Sequence, residues 1–565
     1  MSEDNKNFVL FAVLAVLILF GGQWLVSHFF PANPAVTKIE GGKTKVVEGK
    51  AAATAEAPGE IRDRKLVLAE TPRVKIATPT MQGSINLKGA RIDDLVLTNY
   101  KETIAKDSPP IRLLSPAGTT DANFAAFGWR DDGLAPPAAD TVWTVSSDTL
   151  APGKPVTLSA ANARGQRFQI ELSVDNDYMF SIRQTVANGG ANAVPVAAYG
   201  LVNRSGVSKD PASWTIHTGP MSVANGSANY APNFKDVDKE PQKFTSTGGW
   251  LGFTDKYWLT ALLPDQAHSF DGQFRAGANS SYQADFTAAP QVLPPGRELT
   301  QPTRLFAGAK EAKLLDRYTD KEGATKLDYA IDWGWFRIIE KPIFYYLDWL
   351  FRMVGNFGVA IIILTLTIRA LVFPIAQRQY ASMAHMRAIQ PKMKAIQERF
   401  KDDKQRQQQE IMALYKAEKV NPLAGCLPTL LQIPIFYALY KVLMLTIEMR
   451  HQPFVAWIKD LSAPDPLTPV NLFGLLNFTP PHFMAIGVIP IILGISMFFQ
   501  FKLNPTPMDD TQKQVFALMP WVLMFVMAPF AVGLQVYWIT TNIITIIQQR
   551  VLYARHPALL EATPK

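Results

Sequence analysis

A membrane-length apolar run between Val354 and Pro374 contains one charged residue, Arg369. An arginine placed in hydrocarbon costs about 2.5–3.5 kcal/mol on insertion scales. It either faces protein or water, or lies close enough to a helix end to snorkel to the interface. Arg369 sits about five residues, roughly 7 Å of helix, from the end of the run. Both readings fit this stretch taken alone.

The 565-residue chain has room for several domains. Its first half is polar, and long apolar runs dominate the second. The net charge of +8 is concentrated: residues 375–420 hold ten Lys/Arg against five Asp/Glu. A basic segment flanked by membrane runs points to a cytoplasmic face in contact with anionic lipid or RNA. Cys426 is the only cysteine, which excludes an intrachain disulfide.

Residues 1–30 contain an apolar run, Phe8 to Phe30, about 34 Å long as a helix. A cleaved signal peptide is the alternative. The run is long for one, Glu3 and Asp4 precede it, and no small-x-small site follows at once, so an uncleaved anchor is expected. Residues 31–60 read as a disordered tether. Over 61–321, short alternating runs between Gly, Pro, Asn and Asp predict an all-β sandwich domain. Strand candidates include Lys65–Ala69, Gly83–Leu87, Asp94–Thr98, Arg167–Val174 and Tyr178–Arg183.

An interfacial amphipathic helix is expected within 325–352, where aromatics and charges alternate from Trp333 to Trp349. Five spans follow over 353–553: about 353–374, 423–447, 484–501, 515–531 and 533–552. With the anchor, the fold class is a polytopic α-helical membrane protein of six transmembrane helices, five forming a core, plus the β-sandwich. Charge asymmetry puts 375–420, 502–514, both termini and the short 554–565 tail inside, and 31–352 and 448–483 outside. Within 375–420, Met386, Ile389, Met393, Ile396 and Phe400 recur at heptad spacing, which predicts a helical hairpin. A solvated charged face without a partner fits the same residues.

The last span carries Gln535, Trp538, Asn542, Thr545 and Gln549 on one face, and Thr365 shares a face with Arg369. Gln432 and Tyr440 join from the second core span, and Ser496 and Gln500 from the third. Such residues are often interhelical glue, worth about 0.6 kcal/mol per bond. The predicted spans contain no Asp or Glu except Glu448 at an end. An arginine in such surroundings is best accommodated by a water-filled groove that attracts acidic groups.

Thr365–Pro374, Leu414–Tyr440, Asp460-Leu-Ser-Ala-Pro-Asp-Pro466 and Thr545–Gln549 resemble the core of the YidC-type membrane protein insertases. The anchor and large β domain resemble the Gram-negative branch of that family in layout. The resemblance implies a positively charged groove open to cytoplasm and lipid and closed on the outer side. It also implies that Arg369 is the groove arginine and that Thr365, Tyr537 and Trp538 meet the incoming segment. Trp538 replaces an expected tyrosine.

The resemblance implies an inner-membrane insertase and chaperone, acting alone or with the Sec translocon and its SecDF accessory. Its other expected partners are nascent membrane proteins, the ribosome and signal recognition pathway, and the lipid bilayer. Neither DNA, a cofactor nor a metal is expected, and no P-loop or enzymatic site is recognisable. Two rivals stay open at this stage. A secondary transporter would need coupling carboxylates and internal repeats. A membrane-anchored carbohydrate-binding or carbohydrate-active protein would use the β domain.

Overall fold

The structure is a computed structural model that describes residues 38–40, 43–45, 61–208, 216–278, 280–401, 403–418, 427–476, 486–503 and 510–555. The expected N-terminal anchor, Cys426 and the tail beyond Arg555 lie outside the described residues. The chain divides into two compact units, one running to Asp332 and one beginning at Trp333.

In the region expected to be a structureless tether, Lys38–Glu40 and Lys43–Lys45 pair as a short antiparallel hairpin.

The first unit is built on two large sheets. The nine-stranded sheet has at its centre Met179–Asn188 paired antiparallel with Glu298–Ala309, Met179 opposite Phe306. The ten-stranded sheet runs from Gln242–Thr247 to Thr149–Leu150, the latter in parallel with Arg73–Ala77. Alternating burial along Gln166–Val174 shows one face turned to a core and one to solvent. The sheets meet face to face. Trp129 packs on Phe168 across the interface at 5.2 Å, and the buried Gln184 amide donates to the Gly128 carbonyl at 2.7 Å.

Lys65–Ala69, expected as a strand, lies instead in a helix, α1 (Arg64–Ala69). The Asp63 carboxylate caps it at the Lys65 N–H (2.8 Å), and only Val67 is buried, so no sheet face forms. A second helix, α2, spans Phe234–Lys239. The β unit also extends past the expected boundary at 321. Helix α3 (Ala312–Lys321) and the 3-10 turn Leu327–Ala330 cover the outer side of the nine-stranded sheet. Buried Lys310 ties them down, donating to Thr254 Oγ1 (3.0 Å) and the Ala330 carbonyl (3.2 Å). Glu311 accepts from the phenols of Tyr100 (2.9 Å) and Tyr178 (3.0 Å). Burial and that carboxylate push the Tyr178 phenol far above its usual range.

The second unit is helical. Helix α4 (Arg337–Val354) buries Phe344, Leu347 and Leu350 and leaves Ile338, Trp349 and Met353 exposed. It starts later than the expected 325, after the 3-10 turn Gly334–Phe336. Gly355, at φ 69°, ends it in the left-handed conformation. Asn356 then caps α5 (Phe357–Ala388) through the Val359 N–H at 3.1 Å.

Helix α5 does not stop at Pro374 as expected. Its 32 residues, about 48 Å, carry the apolar run and the first part of the basic segment as one rod. Prolines inside membrane helices are tolerated because neighbouring groups satisfy the freed carbonyl. The break falls at Ile389, since Gln390 precedes Pro391, which opens α6 (Gln390–Arg399). Helix α7 (Lys404–Ala417) returns antiparallel to α6. Lys392 pairs with Glu418 (2.6 Å), the Tyr415 hydroxyl donates to Met393 Sδ (3.2 Å), and Gln407 donates to the Gln397 carbonyl (2.9 Å). Ile389 and Met393 are buried, Ile396 and Phe400 half-buried, and Arg399 and Arg406 flank the Phe400 ring. Met386 falls at the end of α5.

Helices α8 (Leu427–Leu445), α9 (Val488–Leu503), α10 (Asp510–Met527) and α11 (Val532–Arg555) complete the unit. Helix α11 packs on α5, α8 and α9, α10 packs on α9, and α4 packs on α5 and α8. Among the described residues, one helical segment, Phe357–Ile375, is both long and apolar enough to cross a membrane. Gln432–Leu445, Val488–Leu503 and Ala517–Met527 are shorter apolar segments. Helix α11 has the length, at 24 residues, but its polar face lowers its hydropathy.

Gly308 allows the centre of the β unit to close, because a Cβ there would lie 2.2 Å from Tyr178 Cγ. Gly308→Ala is therefore expected to destabilise the β unit by about 1–3 kcal/mol, read as a lowered midpoint in urea unfolding. An unchanged midpoint would show that Tyr178 has room to move.

Candidate functional site

The polar side chains converge where α11 meets α5, α8 and α9. Helix α11 presents Asn542, Thr545 and Gln549 at three- and four-residue spacing, so they share a face, and Tyr537, five residues before Asn542, flanks it; all four are buried. The Tyr537 hydroxyl accepts from Gln432 Nε2 of α8 at 2.5 Å. Arg369 of α5 is half-buried and lies within electrostatic range of the same phenol. Thr365, one turn earlier, is buried and donates to its own Ile361 carbonyl at 2.6 Å. Arg369, Tyr537 and Gln432 thus gather from three helices.

A second polar contact lies further along α11. Asn542 Nδ2 donates to Ser496 Oγ of α9 at 2.8 Å, and Ser496 donates to the Leu493 carbonyl at 2.7 Å. Gln500, one turn on, is half-buried. Trp538 is also half-buried and meets Phe436 edge-on at 5.1 Å.

Two of the residues expected at the groove have structural work instead. Gln535 is fully buried and donates to the Met527 (3.0 Å) and Phe530 (2.9 Å) carbonyls, closing the turn between α10 and α11. Tyr440 is buried against the Phe530 ring beneath that turn.

The amide oxygens of Gln535, Asn542 and Gln549 are buried without a hydrogen-bond partner among the described residues. Leaving such an atom unsatisfied costs about 1–3 kcal/mol, so this face suits water or a polar visitor better than dry packing.

The segment between α8 and α9 closes one end of the cluster. The Phe454 carbonyl accepts from Asn356 at the start of α5 (2.9 Å). The Ala463 and Leu461 carbonyls accept from Val532 and Gly533 at the start of α11, each at 2.9 Å. Asp465 caps α9 through the Ile489 N–H (2.7 Å) and also accepts from Trp457 Nε1 (3.0 Å). A single strap therefore satisfies N-terminal donors of α9 and α11 and holds the Asn356 side chain that caps α5.

Several charged side chains of the helical unit are buried. Lys441 is 2% exposed within α8, with Nζ 5.9 Å from the Tyr437 ring, and Glu340 and Asp348 are buried on α4. A lone lysine in an apolar span was the available signal for the first. On an amphipathic helix, the acids are indistinguishable in sequence from a solvated face.

A β unit and a helical unit with a polar seam make up a two-part membrane-protein architecture. Profile comparison matches the YidC periplasmic domain to residues 73–346 and the 60Kd inner membrane protein to residues 349–558. The membrane protein insertase YidC of Zymomonas mobilis subsp. mobilis is 52% identical over 560 residues, covering 98% of this chain and 96% of that one. Its counterpart in Methylorubrum extorquens is 43% identical over 601 residues, covering 99% and 97%. A crystal structure of an active YidC insertase with its first transmembrane domain resolved aligns at 18% identity and a TM-score of 0.36, covering 96% of this chain and 99% of that one. The chain belongs to the YidC family of membrane protein insertases. It is an inner-membrane protein with a β-rich unit of the periplasmic-domain type, an insertase and not an enzyme.

Proposed function

We propose that this insertase accepts nascent membrane proteins into a wet groove lined by Arg369, Gln432, Tyr537 and Trp538, with Thr365, Ser496, Gln500 and Asn542 behind them. The observation that carries the reading is the polar face of α11, buried against α5, α8 and α9. The groove lowers the barrier for moving a short hydrophilic segment partway across. The apolar part of the substrate meanwhile slides into lipid along exposed side chains such as Leu366, Phe499 and Ile547. Burial of the substrate helix in lipid drives the reaction, and the membrane potential pulls acidic tails outward.

In this reading the protein has six spans, the N-terminal anchor and α5, α8, α9, α10 and α11. Its termini and the α6–α7 hairpin are cytoplasmic, and the β unit and the strap are periplasmic. Helix α9 has 16 residues, about 24 Å against a hydrocarbon core of about 30 Å, which favours a locally thinned bilayer. Labelling of an introduced cysteine at position 404 from outside intact cells would overturn this orientation.

The hairpin is the cytoplasmic docking element for the ribosome and the signal recognition pathway, and the Sec translocon with SecDF is an accessory partner for longer substrates. Ile389→Asp places a charge in the α6–α7 seam. It is expected to slow insertion several-fold at normal protein levels, measured as protease protection of a pulse-labelled substrate; wild-type rates would remove the hairpin from the pathway.

Arg369 acts through its positive charge. Arg369→Lys is expected to keep most activity, whereas Arg369→Ala and Arg369→Glu impair insertion, most of all for substrates with acidic outer tails. A snorkelling anchor predicts the opposite sign, because Ala would relieve an insertion cost of about 2.5–3.5 kcal/mol. The readout is protease accessibility of an acidic-tailed test protein in cells carrying only Arg369→Ala. Full translocation there would defeat the groove.

A further inference from the structure

Just beyond the strap, the short 3-10 segment Pro469–Gly474 and the two residues after it form an apolar loop. Leu472, Phe473, Leu475 and Leu476 are 52%, 55%, 83% and 46% exposed, and Val470 is 37% exposed. Leu472 and Phe473 are consecutive left-handed residues at φ 50° and 60°, a conformation bulky side chains rarely adopt. The loop is nevertheless held in shape, with the Phe473 N–H on the Thr468 carbonyl (3.0 Å) and the Leu475 N–H on the Leu472 carbonyl (3.2 Å).

The loop is also tied to the membrane unit. Val488 N–H, at the first residue of α9, donates to the Leu467 carbonyl at 3.0 Å, next to the Asp465 cap. The segment therefore departs from the N-terminal end of α9. From Pro466 to Phe501 the sequence contains no Asp, Glu, Lys or Arg, so loop and helix form one uncharged stretch. On α9 that stretch continues into the exposed face of Ile492, Ile495, Phe498 and Phe499.

We propose that Pro469–Leu476 is an apolar wedge seated at the headgroup–acyl boundary of the outer leaflet, beside the N-terminal end of α9. The proposal rests on the orientation given under Proposed function. Lipid fits the patch better than protein does. Its few side chains fall well short of the roughly 800 Å² per partner that a stable protein interface buries, and no charged residue flanks them between Pro466 and Phe501. Apolar side chains on an uncharged segment at a helix end partition into the interfacial layer by burying their area there. Because α9 is short, a wedge at its end takes up volume that outer-leaflet lipid would otherwise fill. Bilayer thinning is thereby confined to the closed end of the groove.

The test uses the full-length protein in a Cys426→Ser background, with Leu475→Cys carrying an environment-sensitive fluorophore. The protein is reconstituted into phosphatidylethanolamine–phosphatidylglycerol vesicles in which a fraction of the lipid bears a nitroxide near the headgroup end of the acyl chain. Val455→Cys in the strap, 58% exposed, is the aqueous control. The wedge predicts quenching several-fold stronger at position 475 than at 455. Equal quenching at both positions overturns it. So does shielding that grows with protein density rather than with nitroxide lipid, which would assign the patch to a second copy. Lipid quenching at 475 combined with thiol labelling from the cytoplasmic side alone would overturn the outer-leaflet assignment and the proposed orientation, leaving lipid contact standing.

Discussion

Everything in the helical unit turns on how α11 buries a polar face in an apolar cluster. Interhelical hydrogen bonds in membranes contribute about 0.6 kcal/mol each, too little to explain why Gln432, Tyr537, Ser496 and Asn542 are there for stability alone. Buried amide oxygens at Asn542 and Gln549, without partners among the described residues, raise the cost further. A leucine-lined seam of the same shape would hold the helices together more cheaply. In the proposed groove, the polar seam is explained by what passes through it, with Arg369 supplying the sign of the charge it attracts.

The strap is the mechanical counterpart of that seam. The segment from Phe454 to Asp465 bonds the Asn356 side chain before α5, the Ile489 N–H of α9 and the Val532 and Gly533 N–H groups of α11, so the three helices are registered at one end. An end registered in this way suits the closed side of the proposed groove. It also places the functional load on a connection whose hydrogen bonds are largely main-chain carbonyls, which side-chain patterns do not reveal.

Residues in regular elements were the legible ones. The Gln535–Trp538–Asn542–Thr545–Gln549 period announced the face of α11, and Thr365 with Arg369 announced that of α5. Alternation announced the strands around Arg167–Val174 and Tyr178–Arg183. Helix α1 was missed because its Leu and Val residues alternate much as a strand would, and only the Asp63 cap marks it. The continuation of α5 through Pro374 was missed because the rule that proline ends helices is learned in water. Gln535 was assigned to the groove on spacing alone, although its position three residues into α11 lets it reach the carbonyls of the preceding turn. Lys441, inside an apolar span, carries the same signal as Arg369.

The central claim is that one side of this helix cluster meets water while its neighbour meets lipid, and adjacent residues on α8 decide it. Gln432 is half-buried and bonded to Tyr537, whereas Ile433 is 58% exposed. In membranes carrying Gln432→Cys or Ile433→Cys in a Cys426→Ser background, a water-soluble thiosulfonate is expected to modify position 432 rapidly and position 433 hardly at all. If both positions stay inert, the seam is dry glue and the groove does not exist.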